Sequence, residues 1–519
     1  MRPVLTAEEM RGVDARAVAD LGIPGPTLME NAGRGAAEAL LAALPERGLR
    51  TLGLRVSIVC GHGGNGGDGF VVARRLKRAG ARPDVLLTAR PDALRGDAAL
   101  KYQELRRAGI VARLVEDAAT VAPVLQRADV IVDALLGTGA HGAPAPLVAA
   151  LIEAINASDR PVVALDVPSG LPADGAAPEG PVVRAWLTPT FAAAKLALVL
   201  GPGVELAGRV SIVPIGVPAP EVARDARTFV LEPADVAPLF PRRPRDVHKG
   251  TYGHLLVVAG SLGKAGAAAL CARGALRSGV GLVTVATAAS AQPTVAALSL
   301  EAMTEPLPET AAHTLAVKAR EPLASLTEAR DAVAIGPGLG LDHETRGLAR
   351  DLVGTVARPM VVDADALTAL ADHLHVLRGV HAARVLTPHP GEMARLIGGT
   401  VDDVQRDRLG VARTFATAHG AYLVLKGART LIAEPDGRVL INPTGNSGMA
   451  SGGTGDVLTG IIGALLARGI DAAHAAPAGV YLHGLAGDVA AERVGEEALI
   501  AGDVIEALGE AFRRLADER

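Results

Sequence analysis

The sequence predicts an α/β protein of two domains, each organised around a mostly parallel sheet. Three observations carry this. The chain has 519 residues, more than one hydrophobic core usually serves. Short β-branched runs alternate with Ala/Leu/Arg helical stretches: RVSIVC, RPDVLLT, ADVIVDALLG, RPVVALDVPSG and GRVSIVPIG in the first half. That alternation means βαβ units and a parallel sheet. Residues 217–247, rich in Pro, Arg and Asp, break the theme, which then resumes. The boundary is placed there, giving domains 1–225 and 226–519.

Taken in order, Thr6-Ala-Glu-Glu9 reads as a capping box before an early helix. MENAGRGAAEALLAAL, from Met29, reads as a second helix, and the five strands above follow. In the second half the strands are GHLLVVAGS, GLVTVAT, DAVAIGPGLG, RPMVVDADAL and ARVLTPHPGE. AYLVLKGARTLIAEPDGRVLINPTG differs: two strands flank Pro435-Asp436-Gly437, a hairpin turn. DVLTGIIGALLARG and DVIEALGEAFRRLADE are helical.

Composition excludes several classes. Aromatics are 2% of the chain, too few for stacking platforms on single strands. Net charge is −4 and no basic tract would track a phosphate backbone, so no nucleic-acid partner is expected. No run of about 18 apolar residues suggests a membrane span, and MRPVLTAEEMRGVD has no signal-type core. Cys60 and Cys271 sit alone in apolar stretches, read as small buried hydrophobes suited to a reducing cytoplasm. The apolar helices of both halves suit either core or a homo-oligomer interface.

GHGGNGGDGF, residues 61–70, holds six glycines after a strand. Gly61, Gly63 and Gly66 satisfy G-x-G-x-x-G, the dinucleotide fingerprint, but weakly. The second strand ends in Thr88 and Arg90, with Asp92 late, where the fingerprint wants an acid. Asp68, where the next helix begins, would repel a pyrophosphate docked on the helix N-terminus. The plain reading is that Asp68 N-caps that helix. Asp133 and Asp166 stand at two further strand ends, with the loop 137–143 and Ser169 nearby. In a doubly wound sheet such strand ends converge on one cleft.

LTAEEMRGVD, LMENAG, GHGGNGGDGF, DALLGTG and ALDVPSG, in this order, resemble the epimerase domain of NAD(P)H-hydrate repair enzymes over residues 1–225. The family loop reads N-N-G-G-D-G, and Gly64 replaces its first asparagine. The resemblance implies a Rossmann-like doubly wound sheet. It implies a potassium ion held by Asn65, Asp133 and Ser169, whose hard oxygens suit it. It implies substrate contacts from Gly64, Asn65, Gly66, Gly67 and Asp68, and from Gly137, Thr138, Gly139, Ala140, His141, Gly142 and Ala143. Asp166 is implied as the proton-handling carboxylate, acting by ring opening and reclosure or by loss and return of the C6 hydroxyl.

In the second half GNSGMASGGTGDVLTG, 445–460, is the richest stretch. Gly453-Thr454-Gly455 would turn amides towards an anion at a helix start, with Asp456 beside them. That suits phosphoryl transfer to a hydroxyl, and equally a capping Asp456 with close-packed glycines. The classical P-loop is absent, since GSLGKAG has Ala265 where Ser or Thr is required. KGART sits between two strands and could flank a nucleotide, and His389 follows the strand ARVLT.

HKGTYGHLLVVAGS, GPGLG, VVDADAL, LTPHPGEM, VLKGART and GNSGMASGGTGDVLTG resemble the ADP-dependent NAD(P)H-hydrate dehydratases of the ribokinase-like superfamily, over about residues 240–510. The resemblance implies an α/β/α domain. It implies hydrated-coenzyme contacts at Ala267, Gly338, His389 and Asp456. Nucleotide contacts are implied at Lys426, Gly427, Ala428, Arg429, Thr430 and Gly455. Asp456 would activate the C6 hydroxyl, ADP with magnesium would phosphorylate it, and elimination would restore the dihydropyridine, leaving AMP and phosphate. The residues themselves do not separate ADP from ATP, or hydrated NADH from hydrated NADPH. The rival readings are a small-alcohol (vitamin or sugar) kinase, which shares the GTGD cradle, and a first domain that binds a dinucleotide without turnover.

Overall fold

The computed structural model describes residues Met1–Glu518. The chain divides into two compact units, one of Pro3–Arg227 and one of Met1, Arg2 and the chain from Thr228 onward. Among the described residues no helix is long and apolar enough to cross a membrane.

The first unit is a seven-stranded, wholly parallel sheet. In chain order its strands are Arg55–Cys60, Arg82–Leu87, Ala112–Leu114, Val130–Ala134, Val162–Ala164, Leu187–Phe191 and Arg209–Val213. In space the order is third, second, first, fourth, fifth, sixth, seventh. The reversal between the first and fourth strands opens a crevice at their carboxyl ends, where such sheets bind ligands. The core lies on both faces: Val56, Ile58, Val130 and Val132 pack on one side, Val59, Ile131 and Leu151 on the other. LTPTF, 187–191, was not legible as a strand, because Pro189 interrupts its β-branched run. The early helix is Ala7–Ala19, capped reciprocally by Thr6 and Glu9 as the motif predicts. The next helix starts four residues before Met29, at Gly25, with Pro26 in its first turn. A short strand, Ala194–Lys195, is held in parallel register by Val4 and Leu5.

In the second unit a parallel block runs Met303–Leu307, Leu282–Ala288, His254–Val258, Ala332–Ile335, Met360–Val362, Arg384–Leu386 and Tyr422–Leu425. The sheet then turns antiparallel through Leu431–Ala433 and Val439–Ile441. The hairpin expected at residues 435–437 is present, with Gly437 at φ +86° and its N–H donating to Glu434 O. Thr228–Val230 adds a strand parallel to Val439–Ile441, inside the stretch that composition marked as irregular. Helix Thr454–Ala467 is buried on almost every side. It packs against helix Ala265–Arg277 so closely that a Cβ on Gly460 would stand 2.0 Å from Cys271 O. Cys60 and Cys271 are both buried free thiols, and burial pushes both thiol pKa values up.

Candidate functional site

The glycine loop resolves first. Helix Gly64–Arg78 begins four residues before Asp68, with Gly63 at its N-cap and no side-chain cap. Asp68 is therefore in the helix body and does not cap it, correcting the expectation. The glycines serve close approach: a Cβ on Gly66 would lie 2.0 Å from Gly61 O, and one on Gly61 would lie 2.0 Å from Leu135 O. The loop, the first strand and the Asp133 strand are thereby pressed together. At Gly64 nothing lies within 4 Å, so the family's asparagine would have room there.

This packing frames a cleft of about 750 Å³. Gly64, Asn65, Asp68, Gly137, Thr138, Gly139, Ala140 and Asp166 line it. Gly66, Gly67, His141, Gly142 and Ala143 are not among its lining residues. Asp133 and Ser169 lie behind the wall, fully buried. Asp133 Oδ1 accepts from Ser169 Oγ (2.6 Å) and Oδ2 from Ser169 N (2.8 Å), and Ser169 Oγ accepts from Leu136 N (2.9 Å). Burial raises the Asp133 pKa to about 6, against the pull of those bonds. Asn65 Nδ2 donates to Leu136 O at 2.6 Å, while its buried Oδ1 has no hydrogen-bond partner. An orphaned buried acceptor costs about 1–3 kcal/mol unless something satisfies it.

Asp166 lies two residues beyond strand Val162–Ala164, in the left-handed region at φ +67°. Such backbone costs about 1–2 kcal/mol for a non-glycine and persists where its surroundings impose it. Its Oδ1 accepts from Lys195 Nζ (2.5 Å), Thr190 Oγ1 (3.2 Å) and Phe191 N (3.2 Å). Lys195 is fully buried, and its ammonium also donates to Thr190 Oγ1 (3.0 Å) and Phe191 O (2.7 Å). Three partners use all three of its donors. Sequence reading missed Lys195, although a lone lysine in FAAAKLALVL was a signal. It also missed Asp14, which lines the same cleft. Asp68 is pushed well up by burial, then by the charges of Asp166 and Asp14, with Lys195 opposing.

In the second unit, Gly453 caps helix Thr454–Ala467 from φ +92°, and Asp456 stands in the first turn without capping it. The first-turn amides of a helix have no carbonyl within it and carry its positive end. A Cβ on Gly455 would lie 3.3 Å from Lys426 Nζ, so that ammonium overhangs the same turn. Lys426 Nζ pairs with Asp363 Oδ1 at 2.8 Å and Glu392 Oε2 at 3.8 Å. Asp363, almost fully buried, also accepts from Thr459 Oγ1 at 2.7 Å. Burial raises the Asp456 pKa to about 7, with Asp363 adding and Lys426 opposing. Burial would lower Lys426, but Asp363, Glu392 and Asp456 outweigh it and its pKa is raised.

The remaining predicted residues fall around this core. Gly338, at φ +60°, faces Ala267: a Cβ on it would lie 3.1 Å from Ala267 Cβ. His389 caps helix Pro390–Ile397, its Nδ1 accepting from Gly391 N (3.0 Å) and Glu392 N (3.3 Å), so its loop role is structural as well. The 426–430 turn is shaped by Thr430 Oγ1 donating to Gly427 O (2.9 Å) and Arg429 Nη1 donating to Pro443 O (3.1 Å). Arg408, not singled out from sequence, donates to Ala428 O at 2.6 Å. Asp363 and Glu392 sat inside quoted motifs, but nothing local marks them as partners of Lys426.

Two family models match. One described as NAD(P)H-hydrate dehydratase covers residues 255–509, and one described as YjeF-related protein N-terminus covers residues 25–197. A bifunctional NAD(P)H-hydrate repair enzyme of Moorella thermoacetica is 46% identical over 99% of this chain and 97% of its own. The enzyme of that name from Escherichia coli is 37% identical over 97% of this chain and 92% of its own. A Bacillus subtilis ADP/ATP-dependent NAD(P)H-hydrate dehydratase, co-crystallised with ATP and Mg2+, superposes with TM-score 0.50 at 34% identity, covering 55% of this chain and 98% of that one. With relatives matched end to end and one family model on each unit, the chain belongs to the bifunctional NAD(P)H-hydrate repair enzymes.

Proposed function

We propose that the first unit interconverts the R and S hydrates of NADH and NADPH, and that the second dehydrates the S form with ADP. The observation that carries this is the same in both units. A carboxylate coupled to a lysine, Asp166 with Lys195 and Asp456 beside Lys426, stands just past the carboxyl end of a parallel strand or at a helix start.

In the first unit Asp166 is the proton-handling carboxylate, and Gly64, Asn65, Asp68 and residues 137–140, which line the cleft, hold the substrate. Asn65, Asp133 and Ser169 would hold potassium, which supplies a fixed positive charge at the cleft wall. The unpartnered Asn65 Oδ1 and the hard oxygens of Asp133 and Ser169 fit such a cation.

In the second unit Asp456 takes the proton of the C6 hydroxyl as that oxygen is phosphorylated. Its pKa near 7 balances base strength against occupancy of the charged form. The amides of the first turn, with the Lys426 ammonium above Gly455, receive the transferring phosphate. Ala267, Gly338 and His389 hold the hydrated coenzyme, and Lys426, Gly427, Ala428, Arg429 and Thr430 hold the nucleotide. Among the described residues no group of three or more His, Cys, Asp or Glu is arranged to hold a metal ion. Magnesium is proposed as the companion of the ADP phosphates, neutralising their charge. The protein is proposed to act in the cytoplasm.

The test follows reduced-nicotinamide absorbance with NADPH hydrate and ADP. Recovery supports dehydration, and a small-alcohol kinase would give none. Asp166→Asn should abolish use of the R hydrate and spare the S hydrate. Unchanged use of both epimers refutes the assignment of Asp166.

A further inference from the structure

The residues assigned to the hydrated coenzyme in the second unit are Ala267, Gly338, His389 and Asp456, and they include neither a lysine nor an arginine. The coenzyme carries a diphosphate, and in its NADPH form a third phosphate, and this set leaves those charges unmatched. The sheet indicates where the coenzyme's crevice opens. Strands His254–Val258 and Ala332–Ile335 pair in parallel, and the chain leaves them towards opposite ends of the sheet. Ligands settle at such a reversal, outside the carboxyl ends of the strands. The loop after the first of these strands carries Lys264, and the loop after the second carries Gly338. We infer that Lys264 is a coenzyme-binding residue of the dehydratase site, its ammonium pairing with a phosphate of the hydrated coenzyme. The inference rests on the dehydratase reading of the second unit, with the coenzyme at Ala267 and Gly338.

Three observations support it. First, Lys264 is built against the residues it would act with. A Cβ on Gly338 would lie 2.7 Å from Lys264 O and 3.1 Å from Ala267 Cβ. Ser261 joins the two loops, its Oγ donating to Gly338 O at 2.8 Å and its carbonyl accepting from Lys264 N at 2.9 Å. The Lys264 backbone is thereby fixed at the crevice. Second, its side chain is free to move. That side chain is 51% exposed and pairs with Asp365, whose Oδ2 lies 3.1 Å from Nζ. An exposed pair of this kind contributes little, so a phosphate can take the ammonium over. Asp365 stays satisfied when that happens, because the same oxygen accepts from Gly340 N at 2.8 Å. Third, the other lysine of the site is committed elsewhere. Lys426 is mostly buried, pairs with Asp363 and Glu392, and overhangs Gly455 at the phosphate cradle. It serves the nucleotide side, and Lys264 is left for the coenzyme.

Asp365 also ties this subsite to the reacting end. After burial and Asp363, and with Lys426 opposing, it adds to the upward push on the Asp456 carboxyl, so the Lys264–Asp365 pair lies within electrostatic reach of the base. A compact ammonium on a flexible four-carbon stem suits a phosphate that arrives with its ligand, since it follows the charge without demanding one geometry. The coenzyme's phosphates take no part in the chemistry. A contact to them is made equally in the ground and transition states, so it sets KM and leaves kcat alone.

The experiment uses the full chain with the S hydrates of NADH and NADPH, and reads recovery of reduced-nicotinamide absorbance with ADP and magnesium. Lys264→Gln should raise KM for the hydrate about tenfold, the worth of one charge-assisted contact. Its kcat should stay within about twofold of wild type, as for a contact made equally throughout the reaction. KM for ADP should not move, which also shows that the second unit is folded. Lys264→Arg should keep most of the affinity, and added salt should narrow the gap between wild type and Lys264→Gln. Equal rises with both hydrates assign the ammonium to the diphosphate, and a rise with hydrated NADPH alone assigns it to the 2′-phosphate. An unchanged KM for both hydrates overturns the inference, as does a rise in KM for ADP alone. Ala267→Leu, which narrows the crevice beside Gly338, separates the inference from the reading beneath it. If it raises KM for the hydrate while Lys264→Gln does not, only the inference falls; if neither does, the placement of the coenzyme falls with it. No dehydration by the wild type overturns the dehydratase reading together with this inference.

Discussion

Gly66→Ala tests whether the glycine loop is a packing device. A methyl at Gly66 would stand 2.0 Å from Gly61 O, against about 3.5 Å for an ordinary contact. The obstacle is backbone, and Gly61 is itself pressed on Leu135 O, so neither partner can rotate aside. Overpacking of this kind costs about 1–3 kcal/mol, occasionally more; we expect about 3 kcal/mol. For a unit of this size each kcal/mol moves Tm by about 2–4 °C, giving a drop of about 6–12 °C. Gly64→Ala is the control, since nothing lies within 4 Å of its added methyl; it should stay within about 0.5 kcal/mol, as open surface sites do. The chain has one tryptophan, Trp186, packed against the first unit's core. Its fluorescence during heating therefore reports the first unit alone. A Gly66→Ala melt within about 1 °C of wild type, no more than a small surface effect, would refute the reasoning. So would an equal loss at Gly64→Ala.

Lys195→Met leaves Asp166 without its buried partner. Breaking such a pair costs about 3–5 kcal/mol, so the Trp186 transition should fall, and epimerisation should be lost while S-hydrate dehydration continues. The pH profile of dehydration tests Asp456. Its folded pKa, about 7, lies above the unfolded value of 3.8, so the protonated form is favoured in the fold. Stability from this group is full below the unfolded pKa and declines as pH rises through about 7, while kcat climbs over the same limb as the base is freed. Asp363→Asn removes the leading like charge and should move that limb to lower pH; an unmoved limb would detach Asp363 from Asp456. Replacing potassium by lithium should slow epimerisation and leave dehydration unchanged, and Asn65→Ala should blunt that sensitivity. Equal rates in both salts would remove the ion from the cleft.

Much of the architecture was written locally. The alternation of β-branched and Ala-rich stretches dictated parallel sheets, because side-chain periodicity acts within a few residues. The same holds for the Thr6–Glu9 cap and the 435–437 turn, each a bond between near neighbours. Asp133, Asp166 and Asp456 were legible because they stand at strand ends or a helix start next to glycine-rich turns. Where the local cue was missing, reading failed. The helix at Gly64 starts without a side-chain cap, so Asp68 was taken for its beginning. What packing alone decided is which charges meet. Lys195 reaches Asp166 across 29 residues, Lys426 reaches Asp363 across 63, and Thr459 reaches Asp363 across 96. Asp14 enters the cleft on a helix whose own sequence says only that it is capped and amphipathic. Nothing periodic links such residues, because ion pairing depends on distance through space, and that distance exists only once the sheets have formed.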